Sequence, residues 1–426
     1  MKTLTSLTPG PSPEGRGEMP ADYNVNIEGR HRSGLAWRLV FQVATIVGII
    51  ALITLVLTIL NGAFGYVALE AKVDPATLAA DGVTLEEQSK EQLMSVLQSK
   101  ISSGAYNKLE KDKPFAERSR AEVYQLVLER IVKYDVKDNW PLWDSLTQAA
   151  QIKATVAEKY PEAQLKFVSW LTADFISRPQ TSEPLTAGVR TAILGSIWTI
   201  LFTILFAFPI GVGAAIYLEE YASDTALNRL IQTNINNLAG VPSIVYGILG
   251  LAIFVRTLEP LTSGSIFGFV DPTTANGRTV LAAGLTLGLL VLPIIIINAQ
   301  EAIRAVPNSL RHASYGIGAT KWQTVWSHVL PNALPGILTG TILAVSRAIG
   351  ETAPLVVVGA STAISFDPAS PFSKFTTLPI QIYQWTSRPQ DEFRSLAAAS
   401  ILVLLIMLLS LNAAAILLRN RFSRKY

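Results

Sequence analysis

Cysteine is missing from all 426 residues, which excludes a disulfide framework and any thiolate metal site. The three histidines, His31, His312 and His328, offer no ligand cluster. Charge is scarce too: 16% of residues are Asp, Glu, Lys or Arg, and the net charge of +3 is too small and too scattered for a nucleic-acid surface. No G-x-x-x-x-G-K-[ST] run is present, so the chain carries no phosphate-cradling loop of that kind and any nucleotide energy must come from another subunit. What remains is apolar. Half of the residues are hydrophobic and the mean hydropathy is positive, which is a membrane-protein composition.

A helix needs about 20 apolar residues to cross a hydrocarbon core roughly 30 Å thick. Six runs qualify as candidate spans: 39–60, 192–218, 238–255, 280–297, 336–358 and 396–418. The first is too long for a signal-peptide core and has no convincing small-residue cleavage site, so it is expected to be retained. Pro209, Gly211, Gly213, Pro242, Gly247, Gly250 and Pro293 fall inside the runs, as membrane helices allow when neighbours satisfy the freed backbone groups. The expected fold is therefore all-α, a six-helix bundle.

Arg30, Arg32 and Arg38 precede the first run, and Arg419, Arg421, Arg424 and Lys425 follow the last, so both termini are expected in the cytoplasm. Segments 219–237 and 298–329 then lie inside, and 61–190, 256–278 and 361–395 outside. Residues 1–35 have the Pro, Gly and charge content of a disordered cytoplasmic tail, within which Met19 is a second candidate start. The domain plan continues with a first span at 36–60, an extracytoplasmic insertion at 61–189, a five-helix core at 190–420 and a short cytoplasmic end at 421–426. In the insertion, "LEEQSKEQLMSVLQSKI" and "RAEVYQLVLERIVKYDV" space their apolar residues at helical intervals, so it is expected to be helical. It either covers the bundle or meets an external partner.

Between the fourth and fifth runs lies "VPNSLRHASYGIGATKWQTVWSHVLPNALPGI", part of the inner loop 300–329. Asn308 or Ser309 is expected to cap one short helix, Gly318 to end it and Thr320 to cap the next, with Trp322 and Trp326 suited to the headgroup region. This segment resembles the inner loop of ATP-binding-cassette importer permeases: Glu-Ala-Ala, three residues, Gly, nine residues, Ile, one residue, Leu-Pro. Here His312, Ala313, Ser314, Gly318, His328, Leu330 and Pro331 occupy those positions at the same spacing, with His312 in place of the acid and His328 in place of the aliphatic residue. Together with "NLAGVPSIVYGILGLAIFV", "GVGAAIYLEEYA" and "RAIGETAP", the stretch from Arg190 onward is similar to the PstA family of phosphate-transport permeases. The insertion departs from that family's short connection.

The resemblance implies a type I importer permease in a bacterial inner membrane, with no enzymatic activity and no cofactor of its own. It further implies a PstC-like sister permease as heterodimer partner, a PstB-like ATPase dimer binding ATP-Mg and docking on the inner loop, and a PstS-like phosphate-binding protein outside. A histidine at position 312 adds the expectation of pH-dependent coupling to the ATPase, since this residue type titrates near neutrality.

Within the fifth run, Arg347 and Glu351 are the residues that need a reason. An Arg about 11 residues into a span lies roughly 16 Å deep, where it costs about 2.5–3.5 kcal/mol. Two readings follow. The pair is an internal ion pair that fixes packing, or it marks a substrate path, which the burial cost favours. An arginine fork that keeps its charge suits phosphate oxygens; Glu351 would hold the arginine when the path is empty. Ser346 and Thr352 add hydroxyls, each of which can instead bond its own helix backbone. An importer for molybdate, phosphonate or an amino acid, and a phosphate-sensing membrane scaffold, are the other readings.

Overall fold

The computed structural model describes residues 27–79, 83–269, 277–360, 364 and 366–422. It divides into two units, residues 1–57 and 58–426. Met19 and most of the expected tail lie outside the described residues, but residues 27–35 are helical, a correction at that end. They open α1, Ile27–Ala63, apolar on all sides after its first turns as a membrane helix is.

The second unit takes the last turn of α1 and then builds the insertion around a three-stranded antiparallel sheet, a correction to the helical expectation. Its strands are β1 (Phe64–Ala71), β2 (Tyr134–Pro141) and β3 (Gln164–Ser169), in the order β2-β1-β3. Helices fill the intervals: α2 (Lys90–Lys100), α3 (Ser103–Asp112), α4 (Arg120–Val127), α5 (Leu142–Thr147), α6 (Ala149–Lys159) and α7 (Ala173–Ser177). The helical spacing did mark α2 and α4, and capping boxes start both, Ser89 with Gln92 and Ser119 with Glu122. What the spacing missed is the end of the second segment. The chain leaves the helix at Lys133, whose φ of +46° no continuing helix allows, and Tyr134 begins a strand.

The remaining elements are α8 (Arg190–Ile216), α9 (Ala226–Leu238), α10 (Ser243–Gly250), α11 (Glu259–Thr262), α12 (Val280–Arg304), α13 (Asn308–Gly316), α14 (Lys321–Thr324), α15 (Leu330–Gly350), α16 (Ala353–Val358), α17 (Leu378–Thr386) and α18 (Asp391–Phe422). Five helices among the described residues are long and apolar enough to cross a membrane, and the bent pair α9–α10 raises this to six. α12 is the most enclosed of them, with α8 and α15 against it; Gly284 and Gly288 admit Phe202 and Phe206 of α8 at close range. Pro209, Pro293 and Pro335 sit inside continuous helices.

Two spans depart from the apolar runs. The run 238–255 is not one helix: α9 ends at Leu238 and the chain turns 108° before Ser243–Thr257. The run 336–358 is cut as well, because α15 ends at Gly350 and α16 begins at Ala353. In both places a proline stands four residues past the last helical residue, Pro242 after Leu238 and Pro354 after Gly350. In a continuous helix each ring would strike that residue's carbonyl. A glycine lies within the four residues before each of these prolines, Gly240 and Gly350, and none does before Pro209, Pro293 or Pro335.

A single apolar core joins the sheet to the bundle: Val67, Leu69 and Trp170 pack with Phe175, Leu378, Trp385, Phe393 and Leu396. A separate core at the far end of α8 unites Ala215, Ile303, Val329 and Ile337.

Candidate functional site

The broken fifth span positions Arg347 and Glu351. Arg347 lies in the last turn of α15, and Glu351 is the residue after the helix, in extended backbone at φ −77°, ψ 122°. The pair therefore brackets a break in the span instead of sharing one face of a continuous helix, a correction to the sequence expectation. Arg347 Nε donates to Glu351 Oε1 at 3.5 Å, a long contact. Glu351's side chain is 19% exposed and that of Arg347 51%, so only the acid faces the interior of this chain. Among the described residues the guanidinium makes no other hydrogen bond, which leaves most of its five donors available.

Ser346 and Thr352 part company here. The Ser346 hydroxyl lies 2.8 Å from Ile342 O, one turn back, and 2.7 Å from Asn412 Oδ1 on α18, so it is engaged away from Arg347. Thr352 heads α16 without capping it, half-buried beside Glu351. α16 is pressed onto α10: a Cβ added to Gly247 would stand 2.7 Å from Pro354 Cα, so the two broken spans meet backbone to backbone. Buried Tyr246, one residue earlier, donates to Leu238 O at 2.7 Å and ties down the corner before α10.

At the other end of α8, the residues of loop 300–329 fold as the short helices α13 and α14. Pro307, not Asn308 or Ser309, precedes α13, and Asn308 is its first residue, accepting from Arg311 at 3.2 Å. Gly318 turns the chain at φ +84°, and Thr320 caps α14 with Gln323 in a capping box, as the spacing predicted. α14 does not lie apart as a surface piece; it runs through a π-helical turn, Val325–Val329, into α15. Ser314 is buried with its Oγ 2.8 Å from Thr324 Oγ1, clasping α13 to α14. His312, Ala313, Gly318 and His328 are exposed, while Leu330 and Pro331 are half-buried in the first turn of α15. Trp322 and Trp326 stack at 5.6 Å, exposed.

The residues that hold this surface to the bundle escaped the sequence reading. Glu220, in the π-helical turn Tyr217–Tyr221 after α8, accepts from Arg311 Nη2 at 2.8 Å and Nε at 3.1 Å; Glu220 is buried and the Arg311 side chain is 13% exposed. Arg311 also donates to Val306 O at 2.6 Å and Ile303 O at 2.9 Å, satisfying the end of α12. Next to them Arg304 Nη2 reaches Glu219 Oε1 at 2.6 Å, more exposed. The quoted "LEEYA" held the signal, but its partners stand 85 and 91 residues away.

Residues 207–426 match the family described as binding-protein-dependent transport system inner membrane component. Over 281 residues the chain is 30% identical to a probable ABC transporter permease protein, YqgI of Bacillus subtilis, covering 63% of this chain and 90% of that protein. It is 35% identical over 236 residues to the phosphate transport system permease protein PstA of Mycobacterium leprae, covering 55% and 71%. Against PstA 1 of Mycobacterium tuberculosis the identity is 33% over 244 residues, covering 57% and 74%.

Proposed function

This chain belongs to the family of inner-membrane components of binding-protein-dependent transport systems, and from that premise we propose that it is the PstA-type permease of an ATP-driven importer of inorganic phosphate. It forms half of the translocation pathway, its sister subunit being a PstC-like permease. Its termini and the α13 surface face the cytoplasm, where a PstB-like ATPase dimer binds ATP-Mg and docks on His312, Ala313, Ser314 and Gly318. A PstS-like protein delivers phosphate on the side of the sheet.

The observation that carries the phosphate reading is the loosely held guanidinium at the break. Most of the Arg347 fork is unbonded and half-exposed on the surface of a single subunit, the place a pathway between two subunits requires. A phosphate entering there takes charge-assisted hydrogen bonds from the free donors, and Guanidinium keeps its proton in a low-dielectric site. Glu351 holds the arginine when phosphate leaves and weakens anion binding by like charge, so the ion departs. Thr352 supplies a hydroxyl at the same break; Ser346 supports the helix against α18 and does not touch the ion. Closure of the ATPase dimer moves α13, and the Arg311–Glu220 tie passes that movement to α8 and α12.

The test is ATP-dependent uptake of labelled phosphate by the reconstituted complex, wild type beside Arg347→Ala, with molybdate and sulfate as competitors. Uptake that resists both competitors and falls at least about tenfold in the variant is expected, a tenfold loss corresponding to about 1.4 kcal/mol. Normal uptake by a correctly inserted Arg347→Ala complex removes Arg347 from the path. No phosphate uptake by an assembled wild-type complex points to another solute.

A further inference from the structure

The insertion carries apolar side chains that none of its cores uses. On α5, Trp143 is 69% exposed and Leu146 67%, and Phe167 of β3 is exposed as well. Trp143 and Leu146 stand three residues apart and share one face of the helix. Phe167 lies directly opposite Tyr66 in the β1–β3 register, their rings meeting edge to face at 5.6 Å. Directly opposed residues share a face of the sheet, so Phe167 and Tyr66 look to one side.

This exposure belongs to a fixed element. The Trp143 N–H donates to Asn61 Oδ1 at 2.6 Å, the Tyr66 N–H to Ser145 Oγ at 2.8 Å, and Ser145 Oγ to Trp140 O at 3.0 Å. α5 is thereby pinned to the last turn of α1 and to the first residues of β1. Its height follows from two spanning helices. Asn61 stands two residues before the end of the α1 span at Ala63, and the next residue, Gly62, packs on Ala398, whose Cβ would be 3.2 Å from an added Cβ. Ala398 is at the start of the apolar run of α18, just past Leu396. α5 is thus tied to the last turn of α1, which meets the start of the apolar run of α18 at Gly62 and Ala398.

We propose that Trp143, Leu146 and Phe167 form a lipid-surface anchor, seated in the headgroup and upper acyl region of the leaflet where α1 ends. An amphipathic indole favours that boundary, and Leu and Phe gain by burial just beneath it. The occupant is lipid because the patch continues, through Asn61 and Gly62, directly onto two membrane-crossing helices. The anchor sets the height of the sheet above the bilayer, and it requires only that α1 and α18 cross the membrane, whatever solute is carried.

The natural lack of cysteine makes the test clean. Trp143→Cys and Leu146→Cys, each in the full chain with its co-purifying subunits, are labelled with a small fluorophore in vesicles of phosphatidylethanolamine and phosphatidylglycerol. Lys159→Cys, on the exposed end of α6, is the water-facing reference. Both positions are more than half exposed, so neither substitution opens a core. Strong quenching by a nitroxide borne near the lipid headgroups is expected at 143 and 146, with iodide quenching several-fold weaker than at 159. Iodide access equal to that at 159 overturns the anchor. Protection from iodide without quenching from lipid assigns the patch to a protein and overturns it as well.

Discussion

Two arginines at the α13 end show how burial sets the worth of a charge pair. Glu220 is buried and Arg311 largely so, and the guanidinium spends its donors on a carboxylate and two backbone carbonyls. Arg304 and Glu219 lie closer together, at 2.6 Å, but Arg304 is open to solvent. Removing one partner of the buried pair leaves an uncompensated charge, for which about 3–5 kcal/mol is typical; the exposed pair is worth about 1 kcal/mol or less. Glu220→Ala is therefore expected to lower the thermal stability of the purified chain markedly and to expose α13 to protease, while Glu219→Ala shifts either readout only slightly. Equal effects from the two variants would refute this ranking. At this scale the sequence showed which residue types matter and not which ones meet. Arg347 and Glu351 stood out because charge is rare in an oily run, whereas Arg311 and Glu220 sit among ordinary loop charges and find each other only in the fold.

The broken spans are the elements through which the candidate site is shaped. Gly247 leaves no room for a side chain between α10 and Pro354 of α16, and the obstructing atom is backbone, which cannot swing aside. Gly247→Leu is expected to cost about 1–3 kcal/mol by over-packing and, by lifting α16, to carry Glu351 away from Arg347. Phosphate uptake should fall sharply with the chain still inserted. Gly213→Ala, in the open part of α8 where nothing stands within 4 Å, is the matched control and should transport normally. A transporting Gly247→Leu variant would mean that this contact does not shape the site. The positions of α8, α12 and α18 were legible because hydropathy alone marks a span. The breaks were not, since the apolar runs extend on both sides of Gly240-Val241-Pro242 and of Gly350 to Pro354, and the chain turns there for steric reasons that hydropathy does not register.

On the scale of the whole molecule, the insertion is part of the permease. Its sheet supplies Val67 and Leu69, and the residue after β3 supplies Trp170, to the core that also contains Leu378, Trp385, Phe393 and Leu396. Its helical half, around Leu93, Leu97, Phe115 and Val123, has a core of its own. Replacing residues 64–188 by a short linker is thus expected to uncover large side chains on α17 and α18 and to cut the yield of membrane-inserted chain several-fold. A protease nick near Ser102, between α2 and α3, should leave thermal unfolding of the bundle nearly unchanged. Full yield from the deleted chain would show the shared core to be dispensable. The sheet was illegible for a reason of range: β1 finds its partners at 134–141 and 164–169, and a strand whose neighbours are so remote leaves only a weak local mark. α9 offers one more consequence. It buries no side chain of its own and is held to α12 by a reciprocal amide pair, Gln300 Nε2 to Gln232 Oε1 at 2.8 Å with Gln232 Nε2 to Gln300 Oε1 at 3.2 Å. Two neutral hydrogen bonds at about 1 kcal/mol each make a latch that thermal motion opens often, pivoting on the Tyr246–Leu238 corner. Because neither amide carries a charge, its opening frequency should stay the same across ionic strength and pH, a constancy that the charged ties beside it do not share.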